Sequence, residues 1–287
     1  MSRLGGDMTR TQTRHGAALA VATLALTGAI GAATATSAQA APSSIFVISH
    51  NLQKKNSAVD RVAQQAREHP GGEVLLFQEV CAQQVDRIKK LGQAVYRERK
   101  AVNKNCGGKG VGEMAVWTGG NRVGTSKHNL GAQQEGGHTY GLACVTFTHS
   151  ARKTRACSTH LAAGGDRFDP VREATASAIR DKANGWITGD KLRVIVGGDF
   201  NSRPGDAAMD YMYADGGSTA TGPFRELHQM RTGKPARGGL NTFYKKKIDY
   251  IFVSKVDSRS QGGTEHARKI TDSDHRVLFG SVPLKSR

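Results

Sequence analysis

Short apolar runs alternate with amphipathic segments along most of the chain. Residues 45–49, 74–77 and 192–196 are apolar runs of the length typical of buried strands. Between the first two runs, apolar residues recur at the i, i+3, i+4 and i+7 spacing of an amphipathic helix over residues 59–66. This alternation predicts an α/β or α+β fold in which helices cover β-sheets.

Polar and helix-breaking residues indicate where the helices begin and end. Ser57, with Asp60 three residues later, resembles an N-terminal cap, and a Pro-Gly-Gly stretch at residues 70–72 ends that helix. Asp169 and Pro170 predict the cap and first turn of a longer helix that extends to about residue 186. A second helix is predicted at residues 82–91, and further strands at 114–118, 141–148, 155–160, 242–244, 248–253 and 277–282.

The first 40 residues differ from the rest of the chain. Three arginines give a basic start, residues 16–30 are uncharged and rich in Ala and Leu, and Ala38 and Ala40 form the small-residue pattern of a signal-peptidase site. The apolar run is too short for a stable membrane anchor. We therefore expect a signal peptide at residues 1–40, cleavage near Ala40 and a secreted protein. A retained N-terminal anchor is the alternative.

Residues 41–287 contain no internal repeat and no Pro-rich linker, which favours a single domain. No later segment is apolar enough for stable membrane insertion. The whole chain has 41 Lys and Arg against 24 Asp and Glu, a formal net charge of +17. Such a charge attracts polyanions, so nucleic acid, an anionic membrane surface and an acidic cell-wall polymer are the candidate partners. The alternative is that the charge only solubilises the protein.

Four cysteines follow the predicted signal peptide. An even number in an oxidising compartment favours two disulfides, for which three pairings exist. The antiparallel pairing of the two predicted strands around residues 149–154 would bring Cys144 opposite Cys157. That pairing leaves Cys81 with Cys106. Metal-bound thiolates are the alternative, but the chain has no C-x-x-C pair.

Side chains suited to catalysis or metal binding follow several of the apolar runs. They are His50 and Asn51, Gln78 and Glu79, His160, and Asp199 and Asn201. The carboxyl ends of strands in an open sheet deliver such side chains to a shared cleft. Asp274 and His275 precede a strand, which fits a strand of the opposite direction. Each placement alone is more often an ordinary turn or cap, but five together indicate one functional cleft.

Five short motifs also occur in a characteristic order. They are Phe77-Gln78-Glu79, Ser158-Thr159-His160, VGGDFNSR from Val196, IDYIFVS from Ile248, and Ser273-Asp274-His275. In order and spacing they resemble the DNase-I-like endonuclease/exonuclease/phosphatase superfamily. The resemblance implies one catalytic domain at residues 41–287, folded as a four-layer sandwich of two mainly antiparallel β-sheets flanked by helices. It also implies phosphoester hydrolysis with a divalent cation, Mg²⁺ first, with Ca²⁺ or Mn²⁺ as alternatives.

Phosphodiester hydrolysis needs a cation on the phosphate, an in-line water and a proton for the leaving group. Glu79 is the predicted Mg²⁺ ligand, since this ion takes only one or two protein carboxylates, and Asp274 is a second carboxylate near the metal or the water. Asn51 would order the metal shell or the phosphate. Asp199 would orient the attacking water, and Asn201 would donate to a phosphate oxygen. An Asx turn is the alternative for the last two residues.

By the resemblance, two histidines act as general acid and general base. They are His160 and His275, and the sequence leaves open which is which. A carboxylate should fix the tautomer of each ring: Glu113 for His160 and Asp249 for His275.

A basic run precedes the IDYIF motif and bears on the substrate. It consists of Lys245, Lys246 and Lys247, which would track phosphates of a polynucleotide, or would form a solvated strand edge. The leading prediction is a secreted, monomeric, metal-dependent endonuclease that hydrolyses DNA, with RNA as a further substrate. The alternatives are a phospholipid or sugar-phosphate phosphoesterase of the sphingomyelinase type and a non-catalytic polyanion-binding module.

Overall fold

A computed structural model describes residues 44–67, 72–134 and 137–285. Its strands are β1 (Ser44–Asn51), β2 (Glu73–Cys81), β3 (Gln93–Lys100), β4 (Val111–Trp117), β5 (Arg122–Gln134), β6 (His138–His149), β7 (Arg152–His160), β8 (Arg193–Asp199), β9 (Phe224–Glu226), β10 (Asp249–Ser254), β11 (His266–Arg268) and β12 (Val277–Pro283). Its α-helices are α1 (Asn56–Ala66), α2 (Val85–Lys89), α3 (Asp169–Thr188) and α4 (Leu227–Thr232). Within these ranges, no helix combines the length and apolarity needed to cross a membrane.

The strands form two six-stranded sheets. The first has the order β11-β12-β1-β2-β4-β3, and the second has the order β5-β6-β7-β8-β10-β9. Each sheet contains one parallel pair, β1 with β2 and β7 with β8, and the remaining neighbours are antiparallel. The prediction of two mainly antiparallel sheets is confirmed.

Three buried apolar layers hold the sheets and helices together. Val47, Leu76 and Ile195 belong to the cluster between the two sheets, where Trp117 stacks on Phe147 with ring centroids 3.8 Å apart. The opposite face of the first sheet is covered by α1, and the opposite face of the second sheet is covered by α3. Because side chains alternate along a strand, each sheet can bury both faces. The resulting helix–sheet–sheet–helix order confirms the predicted four-layer sandwich.

Several predicted boundaries are wrong by short distances. Lys55, not Ser57, caps α1, and the Ser57 hydroxyl donates to Asp272 Oδ1 at 2.7 Å. Asp169 lies inside α3, one residue after the capping position at Phe168. The predicted helix at 82–91 is a short 3₁₀ turn followed by α2. In each case a polar side chain of the right type occurs near the helix start, but tertiary contacts or the preceding turn fix the boundary.

Three regions differ more strongly from the sequence prediction. Strands β3 and β5 were missed because their sequences, QAVYRERK and RVGTSKHNLGAQQ, lack a sustained apolar run. The predicted strand at 242–244 is a tight turn with only isolated bridges, from Phe243 to Lys246 and to His275. Both strands lie at a sheet edge, as do the short strands β9 and β11, which were missed as well; at an edge one side of the strand needs no partner and polar residues are tolerated.

Both predicted disulfides are confirmed. Cys144 is directly opposite Cys157 in the β6–β7 pair, and the two are bonded. Cys81, at the end of β2, is bonded to Cys106. No cysteine is left for a metal-bound thiolate. Two disulfides are consistent with an extracellular location, while the predicted signal peptide at 1–40 lies outside the described residues.

Candidate active site

The carboxyl ends of the two parallel strand pairs meet at one edge of the sandwich. In the first sheet Asn51 is paired in register with Gln78, and in the second His160 is paired with Asp199. The two sheets are linked there by hydrogen bonds: Asn51 Nδ2 donates to Asp199 Oδ2 at 3.0 Å, and Gln78 Nε2 donates to Ser158 Oγ at 3.0 Å. The sequence motifs at these strand ends therefore share one cleft.

Two glycines before Asp199 allow this close approach. A Cβ at Gly198, where φ is +156°, would lie 1.9 Å from the Thr159 carbonyl oxygen in the neighbouring strand. A Cβ at Gly197 would lie 2.6 Å from the Leu76 side chain in the other sheet. The GGD sequence therefore brings Asp199 close to both β7 and the first sheet, which a larger residue would prevent.

Asp199 lies at the centre of the cluster. Its Oδ2 lies 3.4 Å from Nε2 of His160 and 3.6 Å from Nε2 of His275, and it accepts the amide of Asn51. Its Oδ1 accepts the backbone N–H of Asn201 at 2.9 Å. The Asx-turn contact of the alternative interpretation is thus present, but it uses one oxygen only. The other oxygen faces both histidines.

Asn201 is held in a turn beside this carboxylate. Its φ is +49°, in the left-handed region that Asn tolerates better than most residues. Nδ2 donates to the Leu161 carbonyl oxygen at 3.2 Å, which uses one of its two amide hydrogens. The second hydrogen is available for the phosphate contact that we predicted.

His275 is fixed by Asp249. Its Nδ1 lies 2.9 Å from Asp249 Oδ2 and 3.2 Å from Oδ1, so Nε2 faces Asp199. Burial alone would lower the pKa of His275, but the negative charges of Asp249 and Asp199 outweigh burial and raise it to about 9. The ring is therefore an imidazolium at neutral pH and can donate a proton from Nε2.

His160 has a different environment. Its side chain is 2% exposed, and Nδ1 has no hydrogen-bond partner among the described residues. Burial lowers the pKa of His160 well below its ordinary value, and the positive charge of Arg99 acts in the same direction. The ring is therefore a neutral imidazole, in contrast to His275.

Glu113 does not contact His160, contrary to the sequence prediction. Its Oε2 lies 3.2 Å from Arg97 Nη1, and its Oε1 lies 3.4 Å from Arg99 Nε. Both arginines come from the neighbouring strand β3, in which Arg97 is directly opposite Glu113. Burial raises the pKa of Glu113 to about 7, although the two arginines oppose that effect. Because β3 was missed, the two competing cations were missed as well.

Asp199, Asp249 and His275 form a compact titratable group. One ligand-type atom from each lies within 4.8 Å of the others. Burial, and then the negative charge of Asp249, raise the pKa of Asp199 to about 7. A carboxylate with that pKa can accept a proton from water near neutrality.

Glu79 lies at a distortion of β2. The pairing of β2 with β4 shifts register between Phe77 and Val80, and Glu79 has a φ of +54°, which is strained for a non-glycine residue. The Glu79 carboxylate, 19% exposed, forms an ion pair with Lys54. Sequence reasoning missed Lys54, although its position three residues after Asn51 was the available signal.

The metal ligands predicted from the sequence fit a hard cation only in part. Glu79 offers a carboxylate that solvent reaches, which suits Mg²⁺ because this ion keeps several waters. Glu79 and Asp274 both lie outside the group formed by Asp199, Asp249 and His275, and the Asp274 backbone N–H donates to Gln53 Oε1 at 3.2 Å. Glu79 stays the predicted Mg²⁺ ligand because of its partly exposed carboxylate.

The predicted phosphate-binding lysines separate into two groups. Lys245 and Lys246 are exposed. Lys247 is instead 3% exposed, with Nζ 3.3 Å from both Glu226 Oε1 and Glu265 Oε1. This buried ammonium forms two internal ion pairs, so Lys247 is not placed to bind a substrate phosphate.

His50, which also follows an apolar run, has an internal role. It is buried, its Nε2 lies 2.9 Å from Thr271 Oγ1, and burial lowers its pKa to about 3. A neutral ring bonded to a threonine hydroxyl fixes the loop that carries Thr271 against β1.

Comparisons with known proteins agree with this geometry. A family model described as Endonuclease/Exonuclease/phosphatase family matches residues 48–275. An endonuclease/exonuclease/phosphatase from Bacteroides vulgatus has a similar structure, with 17% identity over 85% of this chain and 100% of that chain and a TM-score of 0.62. The human Nocturnin catalytic domain with bound sulfate is 18% identical over 84% of this chain and 95% of that chain, with a TM-score of 0.63. A mannosyl-6-phosphatase from Bacteroides thetaiotaomicron is 18% identical over 84% of this chain and 100% of that chain, with a TM-score of 0.59. No curated protein matches the sequence.

Proposed function

Because the chain belongs to the endonuclease/exonuclease/phosphatase family, whose members are phosphoric ester hydrolases, we propose that it is a secreted, metal-dependent nuclease acting on DNA. One observation carries the proposal: a single oxygen of Asp199 lies 3.4 Å from Nε2 of His160 and 3.6 Å from Nε2 of His275. The net charge of +17 supports a polyanionic substrate, and the two disulfides support export.

The two histidines differ in protonation, so we assign them different roles in the reaction. Asp199 orients the attacking water and accepts its proton. His275, held as an imidazolium by Asp249, donates the proton from Nε2 to the leaving alkoxide. His160, which is neutral, donates a hydrogen bond to a non-bridging phosphate oxygen. This proposal departs from the prediction that His160 and His275 are the acid and the base: His275 is the acid, Asp199 takes the place of the base, and His160 only donates a hydrogen bond.

The cation would be held by Glu79, with Asn51 beside it. When bound, Mg²⁺ supplies positive charge on the non-bridging oxygens of the phosphate. Asn51 already donates to Asp199, so it fixes that carboxylate relative to the first sheet. Lys54 pairs with Oε2 of Glu79 and would compete with a cation for this carboxylate.

The test is hydrolysis by the purified chain of plasmid DNA, RNA, sphingomyelin and a phosphate monoester, each with Mg²⁺ and with EDTA. We expect DNA cleavage that needs the cation and is abolished in Asp199→Asn. Asp190→Asn, an exposed aspartate before the amino end of β8 and so at the end of that strand opposite to Asp199, is the matched control and should behave as wild type. Hydrolysis of lipid or monoester without cleavage of nucleic acid would overturn the proposal, and no hydrolysis at all would favour a polyanion-binding module.

A further inference from the structure

A tight turn at residues 242–246 is fixed directly beside the catalytic histidine. Phe243 and Lys246 exchange backbone hydrogen bonds of 3.0 and 2.8 Å, and the Arg276 N–H donates to the Thr242 carbonyl oxygen at 2.7 Å. The Phe243 ring packs against the His275 ring with centroids 4.7 Å apart. The turn therefore keeps a fixed position relative to His275.

Tyr244 projects from this turn into solvent. Its side chain is 72% exposed, and its ring meets that of Phe243 edge-on at 4.6 Å. Its φ is +47°, which is unfavourable for a bulky residue. The other large apolar side chains exposed in the described chain are aliphatic: Val102, Val123, Leu240 and Val256. An exposed aromatic ring held in a strained backbone beside a catalytic centre is typical of a ligand contact.

The cleft beside Tyr244 carries cations that have no internal partner. It has a volume of about 500 Å³ and is lined by Gln53, Lys55, Tyr244, Lys269, Asp272, Asp274 and Arg276. Two of its charged groups are already engaged: the Lys55 ammonium donates to the Asp272 carbonyl oxygen, and the Asp272 carboxylate accepts the Ser57 hydroxyl. Within the described ranges, Lys269 and Arg276 form no ion pair, so both can bind an anion.

We propose that Tyr244, Lys269 and Arg276 form a nucleotide subsite next to the scissile phosphate. A nucleobase stacks on the Tyr244 ring, while Lys269 and Arg276 bind an adjacent backbone phosphate. An aromatic ring combined with cations is the combination that binds single-stranded nucleic acid. Because Arg276 directly follows His275, the nucleotide in this subsite adjoins the bond to be cleaved. The identity of the ligand as a polynucleotide rests on the proposed function.

The first experiment measures binding without catalysis. Fluorescein-labelled tetranucleotides are titrated in EDTA, and each base is replaced in turn by a tetrahydrofuran abasic spacer. For the wild type, removal of one particular base should weaken binding roughly 5- to 100-fold. Tyr244→Ala should bind the complete tetranucleotide more weakly than the wild type does, by the same factor. Removal of that base should then weaken the binding of Tyr244→Ala no further. Tyr244→Phe should bind as wild type, and Val123→Ala, an exposed apolar residue on β5, is the control.

The second experiment tests the phosphate contacts. In Lys269→Ala and Arg276→Ala, the slope of log affinity against log salt should decrease by about 0.7 for each cation removed from a single-stranded complex. Lys104→Ala removes an equally exposed cation outside the cleft and should leave the slope unchanged.

The outcomes separate this subsite from the proposed function. Wild-type protein that neither binds nor cleaves any oligonucleotide disproves the nuclease itself. Wild-type protein that cleaves DNA, together with Tyr244→Ala that binds every tetranucleotide as tightly as the wild type does, disproves the subsite alone. A Tyr244→Ala variant that loses only its cosedimentation with phosphatidylserine vesicles also overturns the subsite, since the ring would then contact a membrane.

Discussion

His160 and His275 place Nε2 at nearly the same distance from one carboxylate oxygen, 3.4 and 3.6 Å from Asp199 Oδ2, but their charge states differ. Nδ1 of His275 meets Asp249, whereas Nδ1 of His160 has no hydrogen-bond partner in the described chain. Burial lowers the pKa of both rings, so the shared carboxylate alone does not explain the difference. His275 has a second carboxylate, Asp249, which together with Asp199 outweighs burial, whereas the positive charge of Arg99 adds to the effect of burial on His160.

Removal of the charge behind His275 should have the largest effect. In Asp249→Asn the ring loses the carboxylate that holds its proton and its tautomer, and we expect a fall in kcat of about 10³- to 10⁴-fold on a DNA substrate. The variant should fold, as judged by an unchanged far-UV circular dichroism spectrum. If the folded variant keeps more than a tenth of the wild-type rate, Asp249 does not control the charge of His275.

Glu113 is the carboxylate that the sequence assigned to His160, and Glu113→Ala tests its role through the stability of the protein. The variant leaves Arg97 and Arg99 buried without their carboxylate, which should cost about 3 kcal/mol of unfolding free energy in a urea titration. Since Glu113 does not contact His160, the rate of the folded variant should fall less than about tenfold. A rate loss as large as that of Asp249→Asn would show that Glu113 acts on His160 in the working enzyme.

These two carboxylates also show what the sequence can and cannot predict. Asp249 is the first residue of the strongly apolar strand β10, and its histidine partner was implied by the family resemblance. Glu113 lies on β4 and was paired with the wrong group, because its true partners Arg97 and Arg99 belong to a polar edge strand that periodicity does not reveal. Pairing between strands far apart in sequence is set by the tertiary fold, and local pattern carries little of that information.

Residues in left-handed turns were the other source of error. Lys54 and Tyr244 both have positive φ values, 64° and 47°, and sequence reasoning assigned no role to either. Neither is a residue type that favours this region, so no local preference indicates the turn. The disulfides followed from strand spacing, and the four-layer sandwich and the roles of the motif residues were implied by the family resemblance, whereas these two side chains are placed by tertiary contacts.

The pH dependence of stability should separate the two histidines in metal-free protein. The folded-state pKa of His275, about 9, lies above the ordinary value of 6.5. Its protonation therefore stabilises the fold fully below pH 6.5, and this contribution is lost as the pH rises through about 9. The contribution corresponds to about 3 kcal/mol. Urea titrations in EDTA between pH 6.5 and 9.5 measure it.

His275→Gln supplies the control, since it lacks this titrating ring and should show a flatter profile over the same range. His160 has the opposite sign. Its depressed pKa means that its contribution to stability is lost only as the pH falls below 6.5, so it does not affect this window. Equal slopes for wild type and His275→Gln would contradict the raised pKa.

The smallest expected effect concerns the second cation near His160. Lys54 contributes positive charge to the surroundings of His160 and pairs with Glu79. In Lys54→Gln we expect the pKa of His160, followed by NMR titration, to rise and yet stay below its ordinary value, because burial and Arg99 remain. The Mg²⁺ concentration for half-maximal activity should decrease several-fold, on the order of the worth of one ion pair, since Glu79 no longer has an ammonium to displace. Lys55→Gln is the matched control, because that ammonium contacts the Asp272 carbonyl group and not Glu79. If Lys55→Gln shifts the Mg²⁺ requirement as much as Lys54→Gln, the effect is one of general charge and the Lys54–Glu79 pair does not compete with the cation.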